Sequence, residues 1–127
     1  MIEQMVEAYT TAVHTKDAAA FAALYADDVL AFDTWAWSND GASAVRAMAD
    51  EWFGSLGSDQ VRVEFDDIRA TVGEEVAVVH AFLTFRGLSE AGEELRSMRN
   101  RLTWGLRLTP DGSWTIVHEH TSVPAKQ

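Results

Sequence analysis

His118 and His120 stand two residues apart near the end of the chain, in the segment Gly112–Pro124, and make up half of its four histidines. Imidazole titrates near neutrality, so a histidine in a cavity can give or take a proton at physiological pH. Strand alternation would put Trp114, Ile116, His118, His120 and Ser122 on one face. That face starts apolar and ends in groups that hydrogen-bond or carry protons. Two rings so placed stand about 7 Å apart, within reach of two ends of one small ligand. A second candidate is Asp33, set among Phe32, Trp35 and Trp37. A carboxylate walled by aromatic rings is desolvated, which raises its pKa and makes it a usable acid or base. Asp40 reads more simply as a turn residue before Gly41.

Arg101 and Thr103 share a strand face with Arg99 and Arg107. An arginine inside an apolar cavity would anchor a carboxylate or an oxyanion; on a solvated face it would only neutralise acidic neighbours. Both readings of Arg101 stay open, because Leu102, Trp104, Leu106 and Leu108 form an apolar face opposite to it and either face could line a cavity. The His-x-His pair brings no third or fourth metal ligand at usable spacing. No metal or cofactor is expected. The candidate set is therefore Asp33, His118 and His120 for proton transfer, with Trp35, Trp37, Trp52, Phe53, Arg101 and Thr103 around a substrate. His80 reads as a buried or interface histidine and His14 as a helix C-terminal residue.

These residues need elements to position them. Ile2, Met5, Val6, Tyr9 and Val13 recur at helical spacing and predict a helix over residues 2–14. Asp17 is a suitable N-cap for a second helix over 18–26. Residues 29–33 predict a short strand, 34–40 a loop, and the run from Gly41 a third helix carrying Val45, Met48, Ala49, Trp52, Phe53 and Leu56. From Gln60 the period changes to two. Strands are predicted over 61–72, with a bulge at Asp66-Asp67, then over 76–85, 95–108 and 114 onward. The apolar stretch 76–85 calls for cover on both faces. Three helices followed by an antiparallel meander give an α+β domain, with the helices on one face of a curved sheet.

At 127 residues the chain suits one domain over its whole length, and 47% hydrophobic residues exclude disorder. It has no cysteine, which removes disulfide and thiolate chemistry. A net charge of −10 disfavours nucleic acid and anionic membranes as partners. No apolar run approaches the ~20 residues of a membrane span, no basic-then-apolar signal opens the chain, and a cytoplasmic location is expected.

The segment Ala22 to Asp33, Gly41 opening a helix, Trp52-Phe53 near its end, Val76-Ala77 after an acidic turn, Arg101-Leu102-Thr103 and the stretch Asp111 to Pro124 together resemble the nuclear transport factor 2-like superfamily. Within it the chain is similar to the SnoaL-like and ketosteroid-isomerase-like families, and its ending also resembles the association domain of calcium/calmodulin-dependent kinases. The resemblance covers essentially the whole chain. It implies a helix-lidded cone with a deep pocket between sheet and helices, and a homodimer formed through the sheet. It also implies a cofactor-independent enzyme that isomerises, cyclises or dehydrates a small apolar molecule. The alternative is a dimer that binds a small carboxylate or assembles without catalysis, since the fold alone does not choose.

Overall fold

The computed structural model describes residues 1–126. Helix α1 (Ile2–His14) buries Met5, Tyr9, Ala12 and Val13, the stripe its periodicity predicts. Helix α2 (Ala18–Ala22) starts at Asp17, whose carboxylate accepts the Ala20 amide at 3.0 Å. It is shorter than its alanine-rich run suggests, because Tyr25 already belongs to strand β1 (Tyr25–Phe32). There the chain docks on the sheet through the Ile116 amide, which donates to the Leu24 carbonyl at 3.0 Å.

The segment expected to be all loop contains a two-residue strand, β2 (Asn39–Asp40), paired with β1. Gly41 follows with φ of 93°, a left-handed conformation that suits glycine. Its amide donates to the Val29 carbonyl at 2.7 Å, and its own carbonyl accepts the first amides of helix α3 (Ala42–Ser55). Val45, Ala49 and Phe53 form the buried stripe of α3.

Strands β3 (Gln60–Val72), β4 (Val76–Leu88), β5 (Glu94–Leu108) and β6 (Trp114–Ser122) run as an antiparallel meander in a six-stranded sheet ordered β2-β1-β6-β5-β4-β3. The α+β expectation holds, with one addition: β1 pairs parallel to β6, joining the first strand to the last. The expected bulge in β3 lies between Asp66 and Arg69, with Asp67 at φ of 52°. The helices cover one face only. Tyr9, Phe21, Tyr25, Phe53, Phe65 and Trp104 fill that inner side with ring centroids 5.1–6.0 Å apart, among them Tyr9–Phe21 at 5.1 Å and Tyr9–Trp104 at 6.0 Å. The expectation that β4 is covered on both faces is not met within one chain. Ala77, Val79, Ala81 and Leu83 are buried inward, but Val76 and His80 are exposed outward. Among the described residues no helix is long and apolar enough to cross a membrane.

Candidate functional site

Strand β6 does not alternate in the regular way. Gly105 of β5 faces His118, but the next pair is Leu106 with Ile116, so Val117 is an extra residue in the ladder. One extra residue moves everything beyond it to the opposite face. A Cβ on Gly105 would lie 3.5 Å from His118 Cβ and 3.7 Å from a Val117 methyl, ordinary contact distances at the bulge. Ile116 points inward, and beyond the bulge Glu119 and Thr121 do so, all three buried. His118 and His120 point outward. The expectation that they continue the face of Ile116 is therefore corrected.

The inward-turned Glu119 sits in a row with Trp104 of β5 and Ala31 of β1. Trp104 Nε1 donates to its carboxylate at 2.9 Å, and the Tyr25 hydroxyl donates to both oxygens, at 2.9 and 3.1 Å. Burial pushes the Glu119 pKa up; the hydrogen bonds from Trp104 and Tyr25 oppose this, and the charge of Asp33 adds to the rise. Tyr9 and Tyr25 are both raised well above the ordinary phenol value, first by burial and then by the charge of Glu119. Both phenols are thus held neutral inside an aromatic core, and Tyr25 donates to the carboxylate. Sequence alternation hid Glu119, because an unbroken strand puts it on the face opposite Ile116. The Leu102-Trp104-Leu106 face was the available signal, since the partner row of a buried tryptophan is buried too.

Outside, His118 Nδ1–H donates to the Leu30 carbonyl at 2.7 Å, and the Phe32 ring lies edge-on to both imidazoles, with centroids at 5.1 and 5.7 Å. His80, Thr103, His120 and Phe32 form one row across this outer face. Arg101 lies on the same face, exposed, with Nε donating to the Ser122 hydroxyl at 3.1 Å. Arg107 grips Asp28 at 2.9 Å and holds that carboxyl below its usual range. Of the two faces of β5, the Trp104 face is therefore the inner one.

Asp33, just after β1, is a loop organiser. One oxygen accepts the Trp35 and Ala36 amides, each at 2.7 Å, and the other accepts Asn39 Nδ2 at 2.9 Å. Those bonds hold the loop with Trp35 and Trp37 81% and 98% exposed, over an open concavity of about 550 Å³ lined by Phe32, Asp33, Thr34, Trp35, Ala36, Trp37 and His120. Asp33→Ala, which frees three donors, is expected to lower stability by about 1–2 kcal/mol. It is also expected to speed amide exchange through Trp35 and Ala36 in hydrogen-exchange measurements; unchanged exchange would show that the carboxylate does not organise the loop. Phe53 is core, and Trp52 is half-buried between the Phe53 and Phe85 rings at 5.0 and 5.6 Å. Among the described residues no three His, Asp or Glu side chains gather as metal ligands.

The SnoaL-like domain pattern matches residues 2–126. The chain belongs to the SnoaL-like family. An NTF2-like protein of unknown function from Pseudomonas putida is 29% identical to this SnoaL-like chain, with a TM-score of 0.81 over 97% of this chain and 84% of that one. Aln2 from a Streptomyces species gives 0.84 at 16% identity, over 95% and 86%. An NTF2-like protein with a cystatin-like fold from Novosphingobium aromaticivorans gives 0.82 at 20% identity, over 99% and 81%. These last two speak for the fold alone. None of the curated proteins matches this sequence.

Proposed function

We propose that this SnoaL-like protein is a cofactor-independent cytoplasmic enzyme that moves a proton on a small, largely apolar organic molecule, with Glu119 as the proton carrier. The observation that carries the reading is a buried carboxylate with a raised pKa, gripped by Tyr25 and Trp104 among aromatic rings. Ionised, Glu119 takes a proton from a carbon next to a carbonyl group, and the electron pair moves onto the carbonyl oxygen. The neutral Tyr9 phenol, close enough to feel the charge of Glu119, donates to that oxygen as its charge grows. The protonated Glu119 then returns the proton to another carbon (isomerisation). In a cyclisation the enolate carbon adds to a second carbonyl of the same molecule, and Glu119 gives its proton to the new alkoxide oxygen. In a dehydration the enolate expels a β-hydroxyl, which takes the proton from Glu119 and leaves as water. Asp33, His118 and His120 take no part in this scheme, because the first is saturated by loop donors and the histidines face outward.

The test is solvent deuterium exchange at the carbon next to the carbonyl, followed by NMR over a panel of cyclic enones and diketones. Exchange by the wild type that Glu119→Gln abolishes supports the assignment; exchange that survives the change, or none across the panel, overturns it. For the assembly, we infer a dimer through the outer face, where exposed Leu30 joins half-buried Phe32, Val78 and Phe82 around the histidines. Phe82→Glu is expected to convert a sedimenting dimer into a monomer; a variant that still sediments as the dimer places the contact elsewhere.

A further inference from the structure

Asn100 is 1% exposed, on the inner face of β5, four residues before Trp104, with Leu83 beside it on β4. Its Oδ1 accepts the hydroxyl of Thr34, which is exposed where β1 runs out, at 3.2 Å. Its Nδ2 is buried with no hydrogen-bond partner. Buried amides are almost always paired, because an unpaired buried donor loses its hydration with nothing in exchange. A leucine of similar volume would remove that cost. The amide therefore calls for an explanation by what it could hold.

The charges around the inner face narrow the answer. All ten lysines and arginines of the chain lie outside the core, Arg99 and Arg101 on the opposite face of the strand that carries Asn100. The acidic groups near the interior are Glu119 and Asp33, both close enough to act on Tyr9 and Tyr25. A carboxylate or phosphate ligand would find repulsion there and no counter-charge. An N–H donor in such surroundings suits a neutral acceptor oxygen.

We infer that the Asn100 amide is a ligand-binding group at the Thr34 end of the inner face, and that the ligand is an uncharged molecule whose acceptor oxygen it holds. This rests on the interior being the small-molecule site proposed above. Asn100 and Trp104 are four strand rises apart, about 13 Å along the backbone, and side chains shorten the gap. A ligand touching both Asn100 and Glu119 has about the length of two fused rings. The matching part of the candidate set, Arg101 as a carboxylate anchor, is thereby replaced by a neutral anchor on the other face.

The experiment compares wild type with Asn100→Leu, by thermal unfolding and by NMR titration with tetralone, tetralin and tetralin carboxylate. Asn100→Leu is expected to raise Tm by about 4 °C and to weaken tetralone binding about tenfold, leaving tetralin unchanged. Tetralin carboxylate is expected to bind the wild type at least tenfold more weakly than tetralone. A lowered Tm with unchanged tetralone affinity would make the amide a structural group paired through water and overturn the inference. Equal affinity for tetralone and the carboxylate would overturn the charge selection. If tetralone and tetralin bind both proteins alike, the interior site stands and the Asn100 assignment falls; if neither binds the wild type, both fall. Asn100→Ala reads the same selectivity should leucine prevent folding.

Discussion

Glu119→Gln is expected to lower the proposed turnover about 10²–10⁴-fold, the range a positioned acid or base contributes. The wild-type acid limb of kcat/KM is expected above the ordinary glutamate range, because burial raises the pKa of Glu119 and the base must be ionised to act. The same shift makes a statement about stability. Between the unfolded value and the raised folded value, the native state holds this proton more tightly than the unfolded chain. Its contribution is full below the unfolded value and is lost as pH rises through the folded one. Glutamine cannot ionise, so Glu119→Gln gains on the wild type as pH rises across that window and keeps a constant difference above it. Exposed carboxylates such as Asp28 and Asp111, whose pKa values are lowered, act in the opposite direction. They are common to both proteins and cancel in the comparison. Urea unfolding of the pair from about pH 4 to about pH 8 reads this directly, and a flat difference would place the carboxylate in water.

Trp104→Ala is expected to cost about 3–5 kcal/mol, as for other large buried aromatic truncations, out of a typical total of about 5–15 kcal/mol. The residue is fully buried, touches the Tyr9 and Phe65 rings, and carries one of the two donors on Glu119. Trp104→Phe separates packing from hydrogen bonding. It keeps a ring but leaves one Glu119 oxygen short of a donor, at a cost of about 1–3 kcal/mol. Removing a donor that favours the ionised form also moves the Glu119 pKa further up, so the acid limb should shift to higher pH. A Trp104→Phe protein with wild-type stability and an unmoved limb would show that the indole N–H contributes nothing.

Much of the architecture was legible because it rests on period alone. The α1 and α3 stripes, the Asp17 cap, the change to two-residue alternation at Gln60 and the β3 bulge at Asp66-Asp67 all reflect local choices the chain makes for itself. The extent of α2 was not legible. Its alanines favour helix, but Tyr25 is worth more in a strand, against Phe21 and under Glu119. Nor was the parallel pairing of β1 with β6, which brings together segments almost a chain length apart.

Strand β6 was legible as an element, and its inward face was not. Glu119, the proposed proton carrier, lies between His118 and His120 in the segment Trp114 to Ser122. Which of the three enters the core depends on one extra residue, Val117. Whether a bulge forms there depends on how β6 is paired with β5 on either side of it, a fact of pairing that no local pattern in β6 contains. The sequence by itself determined the α+β class, the order of elements and the aromatic stock of the core, since propensity and periodicity act within a few residues. Only the tertiary structure decided that the histidines and Arg101 face outward while Glu119, Tyr25 and Asn100 face the helices. That choice turns on register between strands, where a shift of one residue exchanges the inside for the outside.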